Sequence, residues 1–329
     1  MQEKAFRDYC HQRKFDDVTT EAAVDAVRDL EVYATAARTT LEVLATDELS
    51  DYLGQLIQAG RNSEATLLAL ARYFYVIHRN ELFVRLAQII GTSDVLATLR
   101  ERARMIVGDA VTQSIFSGQE LPHAGSPLES YPQVTAAIVT RMEELLSPES
   151  CKQVLTGNMH QIPVESFADL KERFRANPDI DALLAYRRAR LLEELEDHMK
   201  QGKIWYEQEI TPQALQLVRD DPEIQSGVRR GDLIYVSKIP FAPQAYLDEN
   251  DPTMKRFYAC HCPLARTSIR TGKPQVPATL CYCSAGFEKL AFDVIFDEPT
   301  HAEVLESALA GSAKCRFAIT IPPAYRKGT

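Results

Sequence analysis

The segment EVLESALAGSAKCRFAITIP, residues 303–322, decides the fold. Two strand-like runs flank Gly311-Ser312-Ala313, so the segment reads as a β-hairpin. Cys315, Phe317, Ile319 and Ile321 recur at every second position. That period places them on one side of a strand, which must be the core side. Working backwards, DLIYVSKIP (232–240) is a second β-rich run closed by proline. KRFYACHC (255–262) reads as a further strand, and IWYEQEI (204–210) as extended chain. Thr211-Pro212 starts a helix, with a capping hydroxyl followed by proline at the first helical position. The expected fold class is α+β, with residues 201–329 forming a smaller antiparallel-sheet domain that also carries helices.

Residues 1–200 read as a mostly helical domain. Leu67, Leu68, Leu70, Ala71, Phe74, Tyr75 and Ile77 make an apolar stretch with little polar face, which predicts a central helix. Val95, Leu96, Leu99, Ile106, Val107, Ala110, Val111 and Ile115 follow the helical period. LPHAGSPLESYP (121–132) is a loop. A helix starting near Pro178 carries Leu183, Leu184, Leu191, Leu192 and Leu195, and its Arg187, Arg188 and Arg190 read as a solvated face.

The chain has 329 residues, 45% hydrophobic and 25% charged, which is globular composition for one large or two ordinary domains. A formal charge of −9 weighs against a nucleic-acid partner. No run reaches the roughly 18 uninterrupted apolar residues of a spanning helix. The N-terminal MQEKAFRDYC mixes both charge signs without an apolar core, unlike a signal peptide. The expectation is a cytoplasmic protein with no membrane and no nucleic-acid partner. Nucleotide-binding and HExxH patterns are absent from the sequence.

The chemistry points to the last third. Five of seven cysteines, Cys260, Cys262, Cys281, Cys283 and Cys315, fall between 260 and 315. On extended backbone, Cys260 and Cys262 would face one way and His261 the other, and likewise for Cys281, Cys283 and Tyr282. Each pair also runs into an expected helix start, at Pro263 and ahead of Phe287. Free amide groups and the helix dipole there favour a thiolate. From Lys255 to Leu290 six basic residues stand against Glu288 alone, which lowers thiol pKa values and attracts anions.

Three readings follow. Cys260, Cys262, Cys281 and Cys283 match the ligand count of a zinc or iron–sulfur site, although Cys-X-Cys is not the usual zinc-ribbon spacing. Alternatively Cys283 or a neighbour is a nucleophile in a hydrolase or transferase acting on a small sulfur- or nitrogen-containing compound. In the third reading the cysteines are core residues of a structural or interaction protein, and Cys315 leans that way among its large apolar neighbours. Arg266 can clamp a carboxylate or phosphate. Lys238 can bind a carboxylate or extend to water. Glu207, sharing a strand face with Trp205 and Glu209, is a candidate general acid. His160, in a loop, is a candidate base or ligand. The expected partner is a small-molecule ligand; the sequence leaves the oligomeric state open.

CYCSAGFEKLAFDVIF (281–296) followed by VLESALAGSAKCRF (304–317) resembles a bacterial superfamily of cysteine-containing α+β domains. That superfamily includes the 4-vinyl-reductase-type domains and the L-2-amino-thiazoline-4-carboxylate hydrolase-like proteins. The matching positions are Cys281 or Cys283, the helix from Gly286, the turn at Gly311, and Cys315-Arg316-Phe317. The resemblance covers about the last 70 residues. It implies small-molecule or metal binding, often regulatory and occasionally enzymatic. GNMHQIP (157–163), WYEQEIT (205–211), SKIPF (237–241) and ACHCPLAR (259–266) resemble a family of bacterial cytoplasmic proteins of about this length. Neither resemblance transfers a reaction.

Overall fold

The computed structural model describes residues 1–326, and these divide into two compact units. The first comprises Met1–Asp94 with Leu121–Ser130; the second comprises Val95–Glu120 with the described chain from Tyr131 onward. The expected domain boundary at residue 200 therefore falls inside the second unit.

The first unit is helical: α1 (Glu3–Gln12), α2 (Asp17–Ala36), α3 (Thr46–Gln58), α4 (Glu64–Val76) and α5 (Asn80–Ser93). Asp16 and Ser63 cap α2 and α4 by accepting from the amides of Thr19 and Thr66. The apolar stretch at 67–77 is the core helix it promised to be: Leu67, Leu70, Tyr73 and Phe74 are buried with Phe6, Leu30 and Leu86.

The second unit begins with α6 (Val95–Val107) and α7 (Asp109–Phe116), separated at Gly108. By length and composition alone the helical stretch Asn80–Val107 is long and apolar enough to cross a membrane, a test that a buried core helix also passes. Next come α8 (Tyr131–Leu145), α9 (Pro148–Leu155), α10 (Ala168–Ala176) and the long α11 (Ile180–Gln201). The remainder mixes strands and helices. A minimal hairpin, β1 (Ile204–Trp205) and β2 (Gln208–Glu209), precedes α12 (Pro212–Asp220), which Thr211 caps as expected. Then follow β3 (Val228–Arg230), β4 (Leu233–Ser237), α13 (Pro243–Asp248), α14 (Pro252–Ala259), α15 (Arg266–Thr271), α16 (Tyr282–Phe296), β5 (Ala302–Glu306) and β6 (Arg316–Thr320).

The four-stranded antiparallel sheet has the order β3-β4-β6-β5. The fold class is thus α+β, with a helical N-terminal region. The hairpin read from 303–322 is β5 and β6, with Ala302 opposite Ile319 and Val304 opposite Phe317. Phe317, Ile319 and Ile321 are fully buried, and Cys315 nearly so. They share a core with Ile234 and Val236 of β4, Leu183 and Leu184 of α11, and Ala285, Phe292, Ile295 and Phe296 of α16. A buried Glu223 is neutralised by Arg316 (Nε–Oε2 2.5 Å) and Arg230 (2.7 Å) next to this sheet.

The strand expected at 255–262 is not a strand, and the extended backbone considered for 281–283 is not formed. Residues 252–259 form α14, because Asp251 caps the amide of Met254 and Pro252 occupies the first turn. Cys260, at the end of α14, is extended (φ −78°, ψ 119°). Cys281-Tyr282-Cys283 is helical too, with a short 3-10 turn over Ala278–Cys281 running into α16. After Cys262 a turn intervenes, and α15 starts at Arg266 rather than at Pro263. Nor are the arginines of α11 a wholly solvated face. Arg187 donates to Gln225 O (3.1 Å), Arg188 to Asp221 O (3.3 Å), and only Arg190 forms an exposed pair, with Asp169.

Candidate functional site

Three segments of the second unit meet where β4 leaves the sheet. The first is the exit of β4. Lys238 continues the ladder by donating its amide to Cys315 O (3.0 Å), which sets its side chain beside the start of α16. Its Nζ lies 3.6 Å from Glu288 Oε1 and 4.7 Å from the centre of the Phe287 ring. The second is the 260–266 connection. His261 donates from Nε2 to Ile239 O (2.5 Å), tying this connection to the residue after Lys238. The third is the first turn of α16, with Cys281 at its cap and Cys283 inside it.

These segments bring all five late cysteines into one neighbourhood. Cys262 lies within electrostatic reach of Cys260, Cys281 and Cys283, and Cys281 within reach of Cys260, Cys283 and Cys315. Cys10 and Cys151 are buried outside it, in the first unit's core and between α8 and α9, where Cys151 Sγ donates to Met142 O. The side-by-side sulfurs of an extended Cys-X-Cys are not formed at 281–283, because residues two apart on a helix point to nearly opposite sides.

The thiols are held protonated. The electropositive segment predicted lowered pKa values; instead desolvation dominates, pushing Cys260 up to about 12 and Cys283 to about 11. The same cause raises Cys262, Cys281 and Cys315; Lys238 offsets it in part at Cys260, Cys283 and Cys315, and Arg266 at Cys260. Hydrogen bonds also occupy the sulfurs: Cys315 accepts from the Ala308 amide (3.5 Å), Cys262 from that of Leu264, and Cys281 interacts with the Ser307 hydroxyl.

The polar groups around these thiols are only half-buried. Cys262, Cys281, His261, Glu207 and Arg266 all retain accessible surface. Yet burial is the leading cause of the shifts at Cys262, Cys281, His261 and Glu207. These half-buried side chains, grouped around Lys238 and Arg266, form the candidate site. Lys238 and Arg266 are its charges, and each acts on Glu207, His261 and Cys260. The Arg266 guanidinium lies 3.8 Å from the centre of the Phe241 ring and 5.3 Å from that of Phe257. His261, edge-on to Phe241 at 5.7 Å, is lowered to about 3 by burial and by Lys238. It is therefore neutral, with Nδ1 left as an acceptor.

Glu207 sits at neither strand position expected of it. It is the second residue of the two-residue β1–β2 turn, half-buried, while Trp205 is buried and Glu209 exposed. Burial raises its carboxyl to about 7 against the pull of Arg266 and Lys238. His160 is exposed and meets the Phe287 ring edge-on at 5.7 Å.

Two buried charges escaped the sequence reading as site residues. Glu288 of α16 is 8% exposed, its Oε1 has no hydrogen-bond partner, and burial raises its pKa. Arg187 of α11 acts on Glu288 and stacks over Phe292 (4.8 Å), and desolvation lowers it to about 10. Spacing held the signal for Arg187: it falls on the same helical stripe as Leu183, Leu184 and Leu191.

The sulfur donors are numerous enough for zinc or an iron–sulfur cluster. However, among the described residues no three His, Cys, Asp or Glu side chains stand in a metal-holding arrangement. What the cluster offers chemically is two cations, a carboxyl raised toward neutrality, a neutral imidazole and two partly exposed thiols, Cys262 and Cys281. Comparison with protein-family models, with curated proteins and with solved structures gives no match.

Proposed function

We propose that the second unit binds a small anionic molecule at this half-buried cluster, as a sensor-like or accessory module. Lys238 and Arg266 supply the counter-charge, Phe241 and Phe257 the flat walls, and Cys262 and Cys281 a soft, polarisable surface. The observation that carries this reading is the surroundings of Lys238. It is a largely buried ammonium with three donors, and among the described residues its one ion-pair partner is Glu288 at 3.6 Å. A buried cation so sparsely coordinated favours an anion that completes its shell. The protonated thiols weigh for ligand contact over a resting nucleophile.

The test is thermal unfolding with acetate, phosphate and sulfate against chloride at constant ionic strength. At least one of the three anions is expected to raise Tm above the chloride control, and both Lys238→Met and Arg266→Gln to abolish the gain. Equal effects in wild type and both folded variants would sink the reading. The convergence of five sulfurs favours a second reading, a thiol-bound zinc or iron–sulfur centre. Stoichiometric metal in anaerobically purified protein, lost with Cys262→Ser and Cys281→Ser, would favour it instead.

A further inference from the structure

The ion pair between Lys238 and Glu288 is incomplete on both sides. Lys238 Nζ and Glu288 Oε1 stand 3.6 Å apart, beyond hydrogen-bond distance. Glu288 Oε1 is shut off from solvent and has no hydrogen-bond partner among the described residues. The side chain that carries it is 6% exposed. Arg187, the second cation acting on Glu288, donates from Nη2 to Gln225 O (3.1 Å), while its Nη1 is buried without a partner. The Phe287 ring, itself 39% exposed, lies 4.7 Å from Lys238 Nζ, so the pair sits beside a surface aromatic. A buried oxygen lacking a donor is costly. Here it stands beside an ammonium held off from its acceptor, and one molecule can complete both if it supplies an acceptor and a donor. The flexible four-carbon stem of Lys238 lets Nζ turn aside to admit it.

We propose that the occupant of this site is a small 2-hydroxy carboxylate, its carboxylate accepting from Lys238 Nζ and its hydroxyl donating to Glu288 Oε1. This deepens the anion-binding reading above and rests on it. An acid with acceptors alone would satisfy Lys238 but turn a second acceptor toward Glu288. A hydroxyl on the next carbon sets a donor beside the carboxylate, a spacing that suits two protein groups 3.6 Å apart. Each new contact then closes at about 2.8 Å. Glu288 can accept in either protonation state, because a protonated carboxyl keeps acceptor capacity. The donor is a hydroxyl rather than an ammonium, since a third cation would be repelled by Lys238 and Arg187. With Glu288 ionised, those two cations exceed it by one charge, which a monoanion cancels.

Calorimetric titration with glycolate, acetate and methoxyacetate at neutral pH and constant ionic strength tests this. All three carry one carboxylate, and only glycolate adds a donor. Glycolate is expected to bind about tenfold or more tighter than either of the others, the scale of a hydrogen bond to a charged group. Lys238→Met should abolish binding of all three. Glu288→Met should bring glycolate down to the level of acetate, whereas Glu288→Gln, which keeps an acceptor oxygen, should retain part of the preference. Circular dichroism confirms that each variant folds, and the comparison of acids in wild type stands without them. Methoxyacetate or glycine binding as tightly as glycolate, or a preference undiminished in folded Glu288→Met, overturns the proposal. If all three acids bind equally through Lys238, or only phosphate or sulfate binds there, the hydroxyl assignment fails while the anion-binding reading stands. If none of these anions binds, both fail.

Discussion

Gly286→Ala sets two physical effects against each other with opposite signs. Gly286 lies inside α16, where alanine is favoured over glycine by about 1 kcal/mol in an exposed helix. Propensity alone therefore predicts stabilisation. The packing predicts the reverse. A Cβ at 286 would stand 2.6 Å from Thr156 C, 2.7 Å from Thr156 O and 2.8 Å from Gly157 O. Carbon atoms settle at about 3.5–4 Å, so the helix or the turn must retreat by roughly 1 Å. The turn is pinned: Arg102 donates from Nε to Val154 O and from Nη2 to Gln153 O, both at 2.9 Å, just ahead of it. The helix is pinned too, with Ala285, Phe292 and Ile295 packed in the sheet core. Overpacking of this kind costs about 1–3 kcal/mol. The clash is with main chain on three atoms, so we expect the upper part of that range and a net loss of about 2 kcal/mol. For a unit of this size that lowers Tm by about 4–8 °C. Urea and thermal unfolding would measure it. Native thiol labelling should also quicken at Cys281 and Cys283, because they sit in the turn of α16 that must move. A Tm equal to or above wild type would refute the reasoning and show that the 156–157 turn gives way.

Glu207→Gln should change how stability depends on pH. The folded carboxyl is raised from 4.5 to about 7, so below 4.5 it is protonated in both states and costs nothing. Wild-type stability then falls as pH climbs from 4.5 through 7, and the penalty is complete above that. Its ceiling is about 3 kcal/mol, reduced to about 1–2 by the solvent reaching this half-buried group. Unfolding midpoints at pH values on either side of that window should show the variant gaining on wild type only at the upper one; a pH-independent difference would contradict the assignment. Tyr206→Gly should relieve the strain of its positive φ (52°) and hold or raise Tm by a few degrees, since the Tyr206 side chain is 72% exposed. A clear loss would mean the Trp205 contact outweighs the backbone. Mass-mapped alkylation of native protein should label Cys262 and Cys281 first, slowly at neutral pH and faster in alkali. Cys10, Cys151, Cys260, Cys283 and Cys315 should react only on unfolding. Rapid neutral labelling of Cys283 would overturn the desolvation account.

The hairpin at 303–322, β4 and the start of α12 could be read because local signals there agree: strict alternation, turn residues, and a capping hydroxyl before proline. The cysteine segments misled because two signals competed. Phe257, Tyr258 and the cysteines suggest a strand, whereas Asp251-Pro252 specifies a helix start six residues earlier, and the cap prevailed. The clustering of thiols was visible as sequence density, but not their meeting in space, which depends on Lys238 pairing with Cys315 and His261 reaching Ile239. Local positive charge was read as lowering thiol pKa values. Burial, a property of the tertiary fold alone, reversed that sign.

The buried charges carry the last argument. Glu288 sits on the most deeply packed helix of the unit, Arg187 on the apolar stripe of α11, and Lys238 joins them from β4. For stability alone this arrangement is poor. Desolvating each charge costs several kcal/mol, the Lys238–Glu288 separation of 3.6 Å is long, and Glu288 Oε1 lacks a hydrogen bond. Apolar residues of similar shape would hold the core at least as well. Removing one partner and removing all three should therefore differ in sign. Lys238→Met leaves Glu288 buried beside Arg187 alone and should cost about 2–3 kcal/mol, below the 3–5 of a tight pair because this pair is loose. The triple variant Arg187→Met, Lys238→Met, Glu288→Leu should recover that loss and reach wild-type stability or exceed it by about 1 kcal/mol. It should also lose any stabilisation by acetate, phosphate or sulfate. A triple variant less stable than Lys238→Met would mean the charges are held for the fold. Wild-type stability without the anion response would mean they are held for the ligand, at the expense of the core.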